Sequence, residues 1–233
     1  MNSNIINNYF PHVFLISTVE DTGRQRHTMN YLDSLGIKYN LRIAPYNGRL
    51  QGVHCDDFVR GWNPEHYLHP GAESLRLCYA SIFAECIYTN IDSILILEDD
   101  VVFEPDFEIK FDRFMQHLPD DWDTLNLGYH ESKDQNAWTY TPVNECVQLA
   151  EASYTSHCVA IRGLQNMRAM ADKVMTSLIP IDFVFVYFSH VLKCENKRFW
   201  RYYIPSEILC RQKSYRSDTE KHPHQMFESL IFK

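Results

Sequence analysis

The chain has 233 residues, with 30 acidic against 22 Lys and Arg side chains and a formal net charge of -8, which argues against non-specific nucleic-acid binding because such binding draws its affinity from Lys and Arg on phosphates. A hydrophobic share of 45% with Tyr and Phe at 14 each excludes a disordered chain, and the length suits one large α/β domain. The longest apolar stretch, Ile179 to Leu192, is interrupted by Asp182 and His190 and is too short for a membrane span. Met1 to Phe10 is Asn-rich without a basic start and apolar core, so no secretory leader is read there, and the expectation is a soluble, cytoplasmic protein.

In chain order, Val13 to Ser17 is an apolar run of buried-strand type, followed by a polar segment and by Met29, Leu32 and Leu35 at helical spacing up to Gly36, a helix stop. Tyr39 to Ile43 reads as a second strand entering the turn Pro45 to Gly48. Leu50 to Pro70 has no period and reads as a long loop of functional type. Leu75, Cys78, Ile82 and Cys86 then mark a helix, and Ile94 to Leu97 is an all-apolar strand, the pattern of a central parallel strand buried on both faces. Phe107, Phe111, Phe114 and Leu118 share a helical face, and Asp123 to Leu127 is a strand ending at Gly128. Residues 129 to 145 read as a polar loop, Cys146 to Ala150 and His157 to Ile161 as strands, Leu164 to Val174 and Asp182 to Leu192 as helices, and Phe199 to Ile204 as a last strand. This alternation predicts an α/β fold with a mostly parallel central sheet flanked by helices, whose ligands sit at the carboxyl ends of the strands. One domain over 1–233 is expected, with 1–11 and about 219–233 set apart as candidate tails. Seven cysteines, an odd number without a C-x-x-C pair, fit neither a disulfide framework nor a structural zinc site and read as reduced core residues.

The informative feature is Glu98-Asp99-Asp100 directly after the apolar strand. Like charges so close raise one another's pKa or require a counter-charge. From Leu77 to Ile109 there are eight Asp or Glu and no Lys, Arg or His, so either a distant Arg or a metal ion must supply it. Oxygen ligands completed by water and substrate phosphates suit Mg²⁺ or Mn²⁺. A solvated strand end whose acids cap the next helix is the plainer alternative.

The run Ile94 to Phe107 resembles the "LILEDDV...PDF" signature of glycosyltransferase family 25, the lipooligosaccharide and collagen sugar transferases. Other segments follow that family's order. Val13 to Ser17 with Arg24 and Arg26 is similar to its first strand and following Arg, and Tyr39 to Gly48 resembles "RIxAxDG". Trp122 to Gly128 matches "WDxLxLG", Pro180-Ile181-Asp182 matches "P-x-D", and Gln212 with Ser217-Asp218 resembles a terminal "Q...SD". Two positions depart: Ile82 stands where the family has the His of "GxxxSH", although Ser81 is kept, and Asn47 stands for the Asp of "DG".

The resemblance implies a GT-A, Rossmann-like transferase moving a hexose from a nucleotide-diphosphate sugar, UDP-galactose or a similar donor, to a glycan or protein-linked hydroxyl, with inversion and with Mn²⁺ or Mg²⁺. It implies Asp100 as direct metal ligand, Asp99 as second ligand or orienter, and Glu98 toward the donor ribose. Arg24 and Arg26 become candidate partners of the donor phosphate, with solvation of the first helix as the alternative. Asn47 becomes a donor contact, and His224, with His222 near it, a candidate C-terminal metal ligand, with an exposed polar tail as the alternative. Inversion needs a carboxylate base at the acceptor hydroxyl: Asp182 is the first candidate, although a helix N-cap explains an Asp there equally, and Glu151 is the second. His130 and Trp138 are candidates for an acceptor surface. A carbohydrate or nucleotide-sugar binding protein on a degenerate scaffold is the competing class. Phosphoryl or nucleotidyl transfer lacks its usual G-x-x-x-x-G-K loop.

Overall fold

The computed structural model describes residues 4–18, 22–44, 70–129, 139–151, 153, 155–177, 179–194 and 200–213. Asn47, His130, Trp138, His222 and His224 lie outside them. The chain opens with α1 (Ile5–Tyr9), β1 (Val13–Thr18), α2 (Thr22–Ser34) and β2 (Asn40–Ala44), continues through α3 (Pro70–Thr89), β3 (Ser93–Glu98), β4 (Val101–Phe103) and α4 (Phe107–His117), and then forms β5 (Thr124–Asn126), β6 (Tyr140–Pro142), β7 (Val147–Ala150) and β8 (Cys158–Arg162). It closes with α5 (Leu164–Thr176), α6 (Ile181–Val186), a π-helical turn Tyr187–Val191, α7 (Leu192–Cys194), β9 (Tyr202–Pro205) and β10 (Cys210–Gln212).

Eight strands form one sheet in the order β2-β1-β3-β8-β5-β9-β7-β6. Following the pairings across it, β2, β1, β3, β5, β9 and β6 point one way and β8 and β7 the other. The expected mostly parallel sheet is therefore present, with β8 inserted against the grain between β3 and β5. Successive strand side chains point to opposite faces, and the core divides accordingly. Phe14, Ile16, Ile94, Ile96, Val159 and Ile161 pack with α3, α5 and α6 on one face. Val13, Leu15, Leu95, Leu97, Cys158 and Ala160 pack with α1, α2 and α4 on the other. Ile94 to Leu97 are all at 0% exposure, which is why β3 reads as an unbroken apolar run.

Gly36 ends α2 as expected. At φ 70° it lets its own N–H donate to Asp33 O at 3.0 Å and Ile37 N–H donate to Leu32 O at 3.0 Å, the paired bonds of a Schellman motif. Cys78, Cys86, Cys146, Cys158 and Cys210 are free and buried.

Four expectations are corrected. Residues 4–11 are no tail, because α1 places Ile6 and Phe10 in the core at 0% exposure. The polar loop read at 129–145 contains β6, which pairs Tyr140 with Ala150 and Thr141 with Leu149. The helix read over Asp182 to Leu192 widens to a π turn at Tyr187–Val191, beside which Ser189 Oγ donates to Phe185 O at 2.9 Å. Finally, β4 and β10 form a separate antiparallel ribbon, pairing Cys210 with Phe103 and Gln212 with Val101; three-residue strands are too short to show alternation in sequence.

Gly128, just beyond β5, is required by space. A Cβ there would lie 2.0 Å from His157 Nε2 and 2.7 Å from Cys210 Sγ, and His157 is itself buried. Gly128→Ala is expected to destabilise the protein by ~2 kcal/mol through overpacking, read as a lower midpoint of urea unfolding; an unchanged midpoint would show that His157 can move aside.

Candidate functional site

The parallel register sets Glu98 opposite Ile16, so the residues that follow, Asp99 just beyond β3 and Ser17 still in β1, lie side by side. Ser17 Oγ donates to Asp99 Oδ2 at 2.6 Å. Arg24 and Thr28 lie four apart in α2 and so share a helical face. From that face Thr28 Oγ1 donates to Asp99 O at 2.5 Å, and Arg24 Nη2 lies 2.5 Å from Asp99 Oδ1 and 3.0 Å from Asp100 Oδ2. The ribbon closes the other side: Gln212 Nε2 donates to Asp100 Oδ2 at 2.7 Å and Lys213 N–H to Asp100 O at 2.7 Å. Asp99 and Asp100 are both 3% exposed. One atom is left over, since Asp100 Oδ1 is buried with no hydrogen-bond partner.

Glu98 turns toward a different set of groups. Its N–H donates to His157 O at 3.0 Å, which fixes the start of β8 beside the end of β3. The Ser156 hydroxyl stands 2.5 Å from Glu98 Oε1 and 3.2 Å from Asp182 Oδ1. Asp182 is the second residue of α6, whose start at Pro180 has no side-chain cap, so the expected explanation as an N-cap does not apply.

Residues 10–173 match the model of glycosyltransferase family 25, described as an LPS biosynthesis protein family. The chain belongs to glycosyltransferase family 25. Among relatives, it is 24% identical over 187 residues to a glycosyltransferase 25 family member of Aedes aegypti, covering 73% of this chain and 30% of that one. It is 20% identical over 185 residues to procollagen galactosyltransferase 1 of Danio rerio, covering 74% and 30%. It is also 28% identical over 120 residues to inactive glycosyltransferase 25 family member 3 of Homo sapiens, covering 49% and 20%. The chain thus matches less than a third of the length of these relatives.

Within this family 25 domain the structure gathers Glu98, Asp99, Asp100, Arg24 and Asp182. Arg26 is exposed on α2. Glu151, the second candidate base, sits at the β6–β7 end, where Lys193 Nζ pairs with it at 2.7 Å and Thr139 Oγ1 donates to it at 2.5 Å; the Lys193 and Thr139 bonds hold its carboxyl below the usual range. Ile82, in place of the family His, is fully buried on α3 within the core. Ser156, Thr28 and Ser17 are additions from the structure. Ser17 closes the apolar run of β1, a position legible in the sequence, whereas nothing in Tyr154 to His157 marks the Ser156 hydroxyl. Among the described residues, the trio whose ligating atoms lie within 4.8 Å of one another is His117, Glu145 and Cys146, a group distinct from the acidic turn. There Arg113 Nη2 already donates to Glu145 Oε1 at 2.6 Å, so a protein cation supplies the counter-charge.

The counter-charge that the local sequence lacks at Glu98 to Asp100 is supplied by Arg24, so the acids do have a cationic partner. Burial pulls the Arg24 pKa down, but Asp100 and Asp99 more than offset it and the guanidinium stays charged. Burial raises Asp100, against the opposing pull of Arg24 and Gln212. Glu98 is raised furthest, by burial first and then by Asp100, with Asp182 and Asp99 adding to it. A carboxyl whose pKa rises on folding binds more protons folded than unfolded, so stability falls as pH climbs from the unfolded value toward the folded one. Glu98→Gln is therefore expected to melt above wild type at about pH 8 and level with it at about pH 4. Metal-free melting curves with the same pH dependence in both proteins would contradict the raised Glu98.

Proposed function

We propose that this domain is an inverting, metal-dependent hexosyltransferase that moves a sugar from a UDP-sugar to a hydroxyl of a glycan or glycosylated acceptor. The observation that carries the reading is the buried, unpartnered Asp100 Oδ1 in a turn of three carboxylates, two of which share one guanidinium. A hard divalent cation using one or two carboxylates and substrate phosphates fits such a donor set. Asp100 would hold Mn²⁺ or Mg²⁺ through Oδ1, with Glu98 beside it. Asp99, whose two oxygens take Ser17 and Arg24, orients the turn instead of ligating. When bound, the cation supplies Lewis-acid stabilisation of the leaving diphosphate. Asp182, partly exposed, is the base that takes the acceptor proton, and Glu151, engaged by Lys193, is left to structure. UDP-galactose is the first donor to test, in keeping with the name of the Danio rerio relative and with the family resemblance.

A second reading, a sugar-nucleotide binding protein without transfer, has one specific observation in its favour: a human relative 28% identical over 120 residues is named inactive. Two variants separate the readings. Asp100→Asn keeps the size and removes the charge, so metal-dependent UDP binding should weaken by at least about tenfold, while the metal-free protein melts no lower than wild type because like-charge repulsion is relieved. A variant that melts lower without ligand yet keeps the full shift with UDP and Mn²⁺ would remove the metal assignment. Asp182→Asn should leave UDP binding intact and lower transfer by roughly 10²-fold or more. Wild-type protein that binds UDP with Mn²⁺ but transfers from no UDP-hexose would favour the binding protein.

A further inference from the structure

We infer that Ser156 is a positioning residue for Asp182, its hydroxyl holding the acceptor-side carboxylate at a fixed spacing from Glu98. The inference rests on the proposed role of Asp182 as base. Ser156 is 4% exposed, and its hydroxyl lies within hydrogen-bond reach of both acids, 2.5 Å from Glu98 Oε1 and 3.2 Å from Asp182 Oδ1, its single proton serving one of them at a time. Two carboxylates from unrelated elements, the end of β3 and the first turn of α6, thus meet on one side chain.

The backbone that presents this hydroxyl is built at a cost. Thr155 has φ 92°, a left-handed conformation that a β-branched residue adopts only as an outlier. Such strain persists where the surroundings over-determine it, and it concentrates at functional sites. Here the surroundings do so from three directions. Thr155 Oγ1 donates to Gly128 O at 2.9 Å, Asn126 Nδ2 donates to Thr155 O at 2.9 Å, and Tyr79 Oη donates to Ser156 O at 2.9 Å. Asn126 in turn receives no freedom to shift, because its Oδ1 accepts the Gly128 N–H at 3.1 Å and its Nδ2 also donates to Tyr202 Oη at 3.0 Å. A relaxed turn at Thr155 would serve a plain strand entry equally well. What the strained one adds is a fixed direction for the Ser156 side chain.

The test uses the full chain with UDP-galactose and Mn²⁺, following UDP release. Ser156→Ala should lower kcat by about tenfold or more with KM for UDP-galactose within about twofold, since a group acting through the base leaves donor binding alone. Ser156→Thr, which keeps the hydroxyl, should recover most of the loss. A Ser156→Ala kcat equal to wild type, a change in KM alone, or a folded Ser156→Thr as impaired as Ser156→Ala would each overturn the inference. A crystal structure of Ser156→Ala gives a readout independent of activity: the Asp182 carboxylate should turn away from Glu98, and finding it unmoved would overturn the inference. If wild type releases no UDP, the transferase reading falls while that structure still decides the role of Ser156.

Discussion

The fold depends on disposing of three carboxylates in a row at the end of a strand whose four central residues are fully buried. Each pair of charges about 4 Å apart is worth about 4 kcal/mol at an effective dielectric near 20, so Glu98, Asp99 and Asp100 are tolerable only with compensation. None comes from nearby in sequence. Arg24 arrives from α2, Ser17 from β1, and Gln212 from β10. The requirement of the acids is thus met by tying first, middle and last parts of the described chain to one turn. Compensation stops short of neutrality, which is the property a site for a cation and a diphosphate needs.

The reversed strand β8 gives the edge its second function. In a purely parallel sheet only strand ends would reach the carboxyl edge. Because β8 runs antiparallel to both β3 and β5, its beginning arrives there, and residues 155 to 157 stand beside Glu98. The acids Glu98 to Asp100 leave the sheet from β3, while the approach to Asp182 comes through the residues entering β8. One inverted strand brings both halves of the candidate chemistry to a common point.

The acid turn was legible because four consecutive apolar residues leave no doubt about where the buried strand ends. The six ordered motifs carried the family, and Arg24 and Asp182 were both marked by them. What stayed hidden has physical reasons. An apolar run reports burial and is silent on direction, so β8 reads the same whichever way it points. The ribbon of β4 and β10 has three residues on each side, too few for a period. Whether Arg24 or Arg26 faced the acids depends on the phase of α2, whose mixed composition shows little amphipathic preference. The surroundings that distinguish Asp182 from Glu151 come from partners distant in sequence, Ser156 for one and Lys193 for the other.

The β4–β10 ribbon sets the order in which this site can come into being during synthesis. Asp100 and Gln212 are 112 positions apart, and chains emerge and fold from the N-terminus. While the ribosome is still translating residues before 210, β1, α2 and β3 are available to assemble, and Arg24 can already hold Asp99. Asp100, which Arg24 also reaches, still lacks its bonds from Gln212 and Lys213, and β4 waits for its ladder partner. The nascent domain therefore passes through a stage with its scaffold formed and its anionic turn still open. Contacts of such long range close late and slowly, so the last strand acts as a seal: the acidic turn gains its full set of bonds only once nearly the whole described chain has left the tunnel.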